Sequence, residues 1–268
     1  MTEAPTTWHY GLVARWWAEF NVDGPEIDYF RRHVEEGQPA LDVASGTGRL
    51  LIPYLRAGLD VDGCDVSADM IELCRERAAR EGVSPTLLVQ PMHELDPPRR
   101  YRTIYVCGGF GLGSTRGQDA RALRRFHECL EPGATLVLDN ENPYAGGSPW
   151  RYWQADGRAG IPREWKPLEE AERRRAADGS ELALQSRVVD LDPLEQSLSY
   201  ELRAGLWRDG ELVQREEHTL RLNLYFMHEL LLLLERAGFE DVVVHGDYVE
   251  EPPTGASRFL VFVARKPD

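Results

Sequence analysis

LDVASGTGRL, residues 41–50, runs an apolar strand into a cluster of small residues and then into a helix-like apolar stretch. A glycine-rich turn between a first strand and a first helix lets the backbone approach a ligand, and the helix start supplies N–H donors and positive dipole. That geometry suits a nucleotide or nucleoside. The dinucleotide fingerprint G-x-G-x-x-G is not met, because Gly46-Thr47-Gly48 is followed by Leu51 where the third glycine would stand. The next strand, in VDGCDVS, ends in Asp65, an acidic side chain placed to accept hydrogen bonds from both ribose hydroxyls. Ser67 is the better N-cap for the helix that follows, which leaves Asp65 for the ligand.

Outward from this turn, strands alternate with helical periods, the signature of repeated βαβ units and a parallel sheet. The pattern predicts strands at Ala40–Ala44, Asp60–Cys64, Thr86–Gln90, Thr103–Cys107 and Thr135–Asp139, with helices at Arg49–Ala57, Ser67–Glu81 and Asp119–Leu130. Ser67 and Asp119 read as N-caps, Gly58, Gly82 and Glu131-Pro132-Gly133 as helix stops, and Pro53 as a kink.

Beyond residue 145 the pattern changes. Residues 142–162 are rich in Gly, Pro and aromatics and read as a long loop. Three alternating runs follow, Glu181–Leu191, Ser197–Trp207 and Glu211–Tyr225, then a helix at Met227–Ala237 and strands at Val242–Gly246 and Arg258–Ala264. The apolar positions Leu198, Tyr200, Leu202, Ala204 and Leu206 on one run, and Leu212, Leu220, Leu222 and Leu224 on the next, are all even-numbered. A two-residue Asp209-Gly210 turn would set even against odd and send them to opposite faces, so a three-residue Arg208–Gly210 loop with a bulge is expected. That register places His218 opposite Tyr200 on the inward face.

The motifs resemble those of class I S-adenosylmethionine-dependent methyltransferases. LDVASGTG is similar to their first motif, GCDVSADMIELCRERA to their second, and LEPGATLVLDN to the segment leading into their fifth strand. LLERAGFEDVVVHGDY with RFLVFVARK resembles their closing helix and strands, and HYGLVARWW their tyrosine-bearing N-terminal helix. The resemblance implies an α/β fold: a Rossmann-like, mostly parallel seven-stranded sheet with helices on both faces and an antiparallel β lid. The expected division is an N-terminal helical lid (1–36), a cofactor-binding core (37–145), a loop and β lid (146–225) and a closing helix and strands (226–268). The resemblance also implies that the turn Ala44 to Gly48, with Ser45, Gly46 and Gly48, meets the methionine part of S-adenosylmethionine, and that Asp42 is a further cofactor-binding residue. Asp65 then binds the ribose, Val66 and Met70 flank the adenine, and Tyr10 reaches the carboxylate end. Where many relatives hold the adenine amine with an aspartate, this chain has QPMHEL (90–95), so that contact falls to Gln90 or near Met92 and His93. Cys107 to Phe110 form the expected floor.

A sulfonium is an activated methyl donor, so positioning and exclusion of water are most of what a protein adds. An amine acceptor need only be neutral, whereas a hydroxyl benefits from a general base. Acceptor contacts are expected beyond strands four and five, at Phe110, Asn140, Glu141 and Tyr144, with Trp16, Trp17, Trp150 and Trp153 as apolar walls. Glu141 is the candidate to orient an amine or take a proton, and His218 the candidate base for a hydroxyl. The expected acceptor is a small metabolite such as a natural-product intermediate. A nicotinamide oxidoreductase, or a non-catalytic cofactor-binding protein, are the alternatives.

Composition narrows the partners. With 268 residues, 42% hydrophobic and 28% charged, the chain can bury one sizeable core. A net charge of −14 argues against nucleic acid or an anionic membrane. Cys64, Cys74, Cys107 and Cys129 are scattered without C-x-x-C pairs, so no metal site and no disulfide framework is expected. No apolar run approaches the ~18 residues of a bilayer span. A cytoplasmic protein, monomer or homodimer, is the expectation.

Overall fold

The computed structural model describes residues 8–143, 145 and 149–268. Helices α1 (Gly11–Phe20) and α2 (Glu26–Glu36) precede strand β1 (Ala40–Val43). There follow α3 (Leu51–Arg56), β2 (Val61–Asp65), α4 (Ala68–Arg80), β3 (Leu87–Val89), β4 (Tyr101–Val106), α5 (Arg116–Cys129) and β5 (Leu130–Glu141). After the short helix α6 (Ala155–Ala159) come β6 (Arg174–Arg175), β7 (Glu181–Asp192), β8 (Ser197–Arg208) and β9 (Glu211–Asn223). Helix α7 (Met227–Arg236) and strands β10 (Glu240–Gly246) and β11 (Phe259–Arg265) close the chain.

The main sheet has seven strands in the order β10-β11-β5-β4-β1-β2-β3, parallel except for β11. The order reverses between β1 and β4, which opens a crevice beyond the carboxyl ends of those strands. Side chains alternate across the sheet: Leu41 and Val43 of β1 pack with Ala122, Phe126 and Leu230 on the α5–α7 face, while Ala40 joins Tyr29, Leu51 and Cys74 on the α2–α3–α4 face. Burial on both faces is why these strands read as continuous apolar runs. The second sheet, β6-β7-β8-β9, is antiparallel and packs Leu182, Leu202 and Leu206 against Leu12 and Val13 of α1. It is tied to the core where Gly113 N donates to Arg221 O (2.8 Å) and Asn223 N to Gly111 O (2.9 Å).

Several local expectations change. Pro53 falls in the first turn of α3, where its missing N–H is no loss, and no kink is needed. Helix α5 starts three residues early on a Thr115–Gln118 capping box. Asp119 is instead buried, accepting from Asn223 Nδ2 (2.8 Å) and Tyr225 Oη (2.7 Å). Glu131-Pro132-Gly133 lies inside β5 rather than in a turn. The β8–β9 hairpin does use the two-residue turn, with Asp209 and Gly210 both left-handed and Arg208 opposite Glu211. A bulge then shifts the register, since Trp207 faces Leu212 and Leu206 faces Gln214. Val213 is the extra residue, so even meets even from there on, as the apolar pattern requires. Leu212, on the turn side of the bulge, is exposed, and His218 lies opposite Leu202 instead of Tyr200.

Candidate active site

At the crevice lies a cavity of about 970 Å³, within the range of small-molecule sites. Its near half is built by the turn after β1. Ala44, Gly46 and Gly48 are all left-handed there (φ 63°, 54° and 79°). A Cβ on Gly48 would stand 2.7 Å from Cys74 Sγ, so that glycine serves close packing of turn against helix, while a Cβ on Gly46 would meet open space. The Asp65 carboxylate spans the turn: Oδ2 accepts from Gly46 N (2.9 Å) and Oδ1 from Ser67 N (2.8 Å). Burial pushes its carboxyl up against these donors. Ser67 caps α4 through Met70 N (3.2 Å) and donates to the backbone oxygen of His9, bringing the start of α1 over the crevice.

Asp42, Ala44, Ser45, Gly46, Asp65, Val66, Met70, Met92, His93 and Cys107 lie on the cavity wall. His93 Nε2 is engaged with the Gln118 amide at 3.1 Å. Tyr10 is not on the wall, because as N-cap of α1 it turns its ring edge-on to His218, centroids 4.2 Å apart. His218 is buried behind it, with Nε2 3.1 Å from Glu216 Oε2, and is not on the wall either.

The far half holds the end of β5. Asp139 and Glu141 face the cavity, and the strand's two-residue period turns Asn140 away to donate to Tyr225 O (2.9 Å). Trp16 packs against the second sheet while its neighbour Trp17 reaches the wall, and Phe110 stacks beside Tyr225 (5.4 Å) instead of facing the cavity. Tyr144 lies outside the described residues. Trp153 stacks with Phe226 (5.4 Å), also off the wall.

Sequence reasoning missed several wall residues. Asp139 is buried at the centre of the far half: Oδ1 accepts from Gly108 N (2.6 Å) and Oδ2 from Tyr248 Oη (2.8 Å). Tyr248 arrives on a tight turn with Asp247, both left-handed (φ 61° and 50°), closed by Val249 N donating to Gly246 O (3.1 Å). Asp247 holds that strained turn by accepting from Arg258 N (2.7 Å) and Phe259 N (2.9 Å). Arg49 reaches 3.7 Å from Cys107 Sγ and forms an ion pair with Glu26 of α2. Glu141, beside Arg258 (3.8 Å), faces Tyr200 of β8; burial pushes its carboxyl up, with Arg258 opposing. Burial and Glu141 in turn push the Tyr200 hydroxyl up to about 12. His9 is on the wall, its imidazole pushed down to about 4 by burial and by His218. The advance signals for Asp139 were its place at the end of the expected strand Thr135–Asp139 and one strand period before Glu141.

The cofactor implied by the motifs fits this wall. Ser45 Oγ is buried with no partner among the described residues, Ser45 and Asp65 share the cavity wall, and the space in front of Gly46 is open. An unsatisfied hydroxyl and a carboxylate on an apolar wall match a nucleoside with a polar tail. Among the described residues no group of three His, Cys, Asp or Glu is arranged to hold a metal, and no helix is long and apolar enough to cross a membrane.

Residues 40–133 match the model of the methyltransferase domain family. A putative methyltransferase of Geobacillus sp. (strain WCH70) is 21% identical over 84% of this chain and 83% of its own. The ubiquinone/menaquinone biosynthesis C-methyltransferase of Neisseria meningitidis is 28% identical, and this chain spans only 48% of it. Among solved structures, the CcbJ methyltransferase from Streptomyces caelestis has a TM-score of 0.71 at 23% identity, over 98% of this chain and 99% of that one. The sugar N-methyltransferase KedS8 from Streptoalloteichus has a TM-score of 0.67 at 19% identity, over the full length of both.

Proposed function

We propose that the chain, whose residues 40–133 match the methyltransferase domain family, is a class I S-adenosylmethionine-dependent methyltransferase that methylates an amine of a small metabolite. The observation that carries the choice of nitrogen is the far wall of the cavity. Glu141, Asp139 and Asp247 line it, with the guanidinium of Arg258 at its rim. A wall rich in carboxylate, in a chain of net charge −14, draws an ammonium and repels an acidic acceptor.

Hydroxyl methylation is served less well. A useful general base holds its proton near working pH, but the wall histidine His9 is pushed down to about 4, which makes it a weak base. His93 is occupied by Gln118 on the adenine side, and His218 stands off the wall. When bound, S-adenosylmethionine supplies the methyl group in one in-line displacement, the C–N bond forming as the C–S bond breaks. What remains for the protein is to hold the nitrogen and remove its proton. Glu141, at the mouth and with its carboxyl raised, orients the amine and passes the proton to solvent. KedS8, a structural neighbour, is a sugar N-methyltransferase; that supports nitrogen and makes an amino sugar or related natural-product intermediate the first acceptor to try.

The test is transfer of label from methyl-tritiated S-adenosylmethionine to a panel of amino sugars and small amines, each paired with its hydroxyl counterpart. Label in the amine members is the expected result. Label confined to the hydroxyl members would overturn the choice of nitrogen.

A further inference from the structure

We propose that Arg49 and Glu26 form the subsite for the α-amino acid end of the cofactor, Arg49 taking its carboxylate and Glu26 its ammonium. The inference rests on the methyltransferase reading above, and adds to it the element that the sequence motifs assigned elsewhere.

Position comes first. In the strand order β4-β1-β2, Asp65 at the end of β2 lies on one side of the glycine turn and Cys107, just past β4, on the other. Arg49 lies within 3.7 Å of Cys107 Sγ, on the side opposite Asp65. A ligand whose ribose lies on Asp65 and whose tail crosses the turn therefore ends at Arg49. Tyr10, the expected partner of that end, faces His218 instead.

Charge comes second. The side chains of Arg49 and Glu26 are 16% and 12% exposed, so the pair is largely withdrawn from water yet stands on the wall of a ligand-sized cavity. A buried ion pair gains little net stability, because desolvation offsets its attraction. An α-amino acid zwitterion carries the same two charges side by side and is the complement of an opened Arg–Glu pair. The planar guanidinium matches a carboxylate with two parallel hydrogen bonds. Glu26 begins α2, and Asn21 and Pro25, also on the wall, connect it to α1, so opening the pair is linked to the segment that covers the crevice.

Calorimetry with S-adenosylhomocysteine and with 5′-methylthioadenosine, which keeps the nucleoside and lacks the amino acid, separates this role from a merely structural one. The wild type should prefer S-adenosylhomocysteine by a large factor. Arg49→Met should weaken it about 30-fold and Glu26→Gln several-fold, with 5′-methylthioadenosine unchanged in both. Arg49→Lys, which keeps the charge and loses the fork, should fall in between. The inference is overturned if the wild type binds both ligands alike, or if each variant loses both ligands in proportion. A wild type that binds neither ligand would defeat the methyltransferase reading itself, a distinct outcome.

Discussion

Asp65 engages both carboxylate oxygens with backbone N–H groups, so it orders the turn, and the same side chain is proposed to receive the ribose. Asp65→Ala should cost about 2–4 kcal/mol of S-adenosylhomocysteine affinity by calorimetry, the size of two charge-assisted hydrogen bonds. Unchanged affinity would remove Asp65 from the site. Tyr248→Phe deletes one hydroxyl from a turn whose ring contacts remain. It leaves Asp139 Oδ2 a donor short in a buried position and should lower stability to urea by about 1–3 kcal/mol. No loss would mean that water replaces the hydroxyl without penalty. Asp65 was legible because its chemistry is tied to its spacing from the glycine turn. Arg49, Glu26, Asp139 and Tyr248 were not, although Arg49, Asp139 and Tyr248 lie within the quoted stretches, since each gains its role only when distant segments converge. Asp247 and Tyr248 even run against local preference, as consecutive left-handed residues without glycine.

Helix α1 is held by side chains from two other elements. Gly11 N donates to Asp69 Oδ2 of α4 and Leu12 N to Glu216 Oε2 of β9, each at 2.7 Å, so carboxylates from core and second sheet share the positive end of one helix. With Trp8, His9 and Trp17 on the cavity wall, this helix is proposed to act as the cofactor's cover. Amide exchange of residues 8–20 should slow when S-adenosylhomocysteine binds, and Glu216→Ala should speed it in the ligand-free protein. Equal protection in all three states would make α1 plain scaffold. The strand periods of the β8–β9 hairpin were legible, and so was the need for even to meet even. The device that achieves it was not: apolar alternation fixes which faces unite, but a wide loop and a tight turn with a bulge satisfy it equally. Helix starts were misread for a related reason, because Asp119 has the chemistry of a cap and its buried partners come from β9 and the segment after it.

Across the molecule, the alternation of apolar runs made the parallel sheet legible, since strands buried on both faces leave a strong pattern. What this sheet gathers at its carboxyl edge is carboxylate. Burial pushes Asp42, Asp65 and Asp139 up, Asp42 well above the usual range with the Tyr105 hydroxyl opposing and Asp65 adding to it. A carboxyl raised on folding takes up its proton more readily folded than unfolded. Its destabilising effect is therefore absent below the unfolded value near 3.8 and grows as pH rises through the folded value. Asp42→Asn should raise the Tm of the ligand-free protein most at pH 8, the gain shrinking toward pH 4. A gain independent of pH would show that the charge of Asp42 is not what burial penalises.

The central claim, that the turn after β1 and Asp65 bind S-adenosylmethionine and not a nicotinamide dinucleotide, is tested most directly by calorimetric titration of the wild type with S-adenosylhomocysteine and, separately, with NAD. The account predicts saturable one-to-one binding of S-adenosylhomocysteine and no measurable heat with NAD. Binding of NAD with no response to S-adenosylhomocysteine would contradict it.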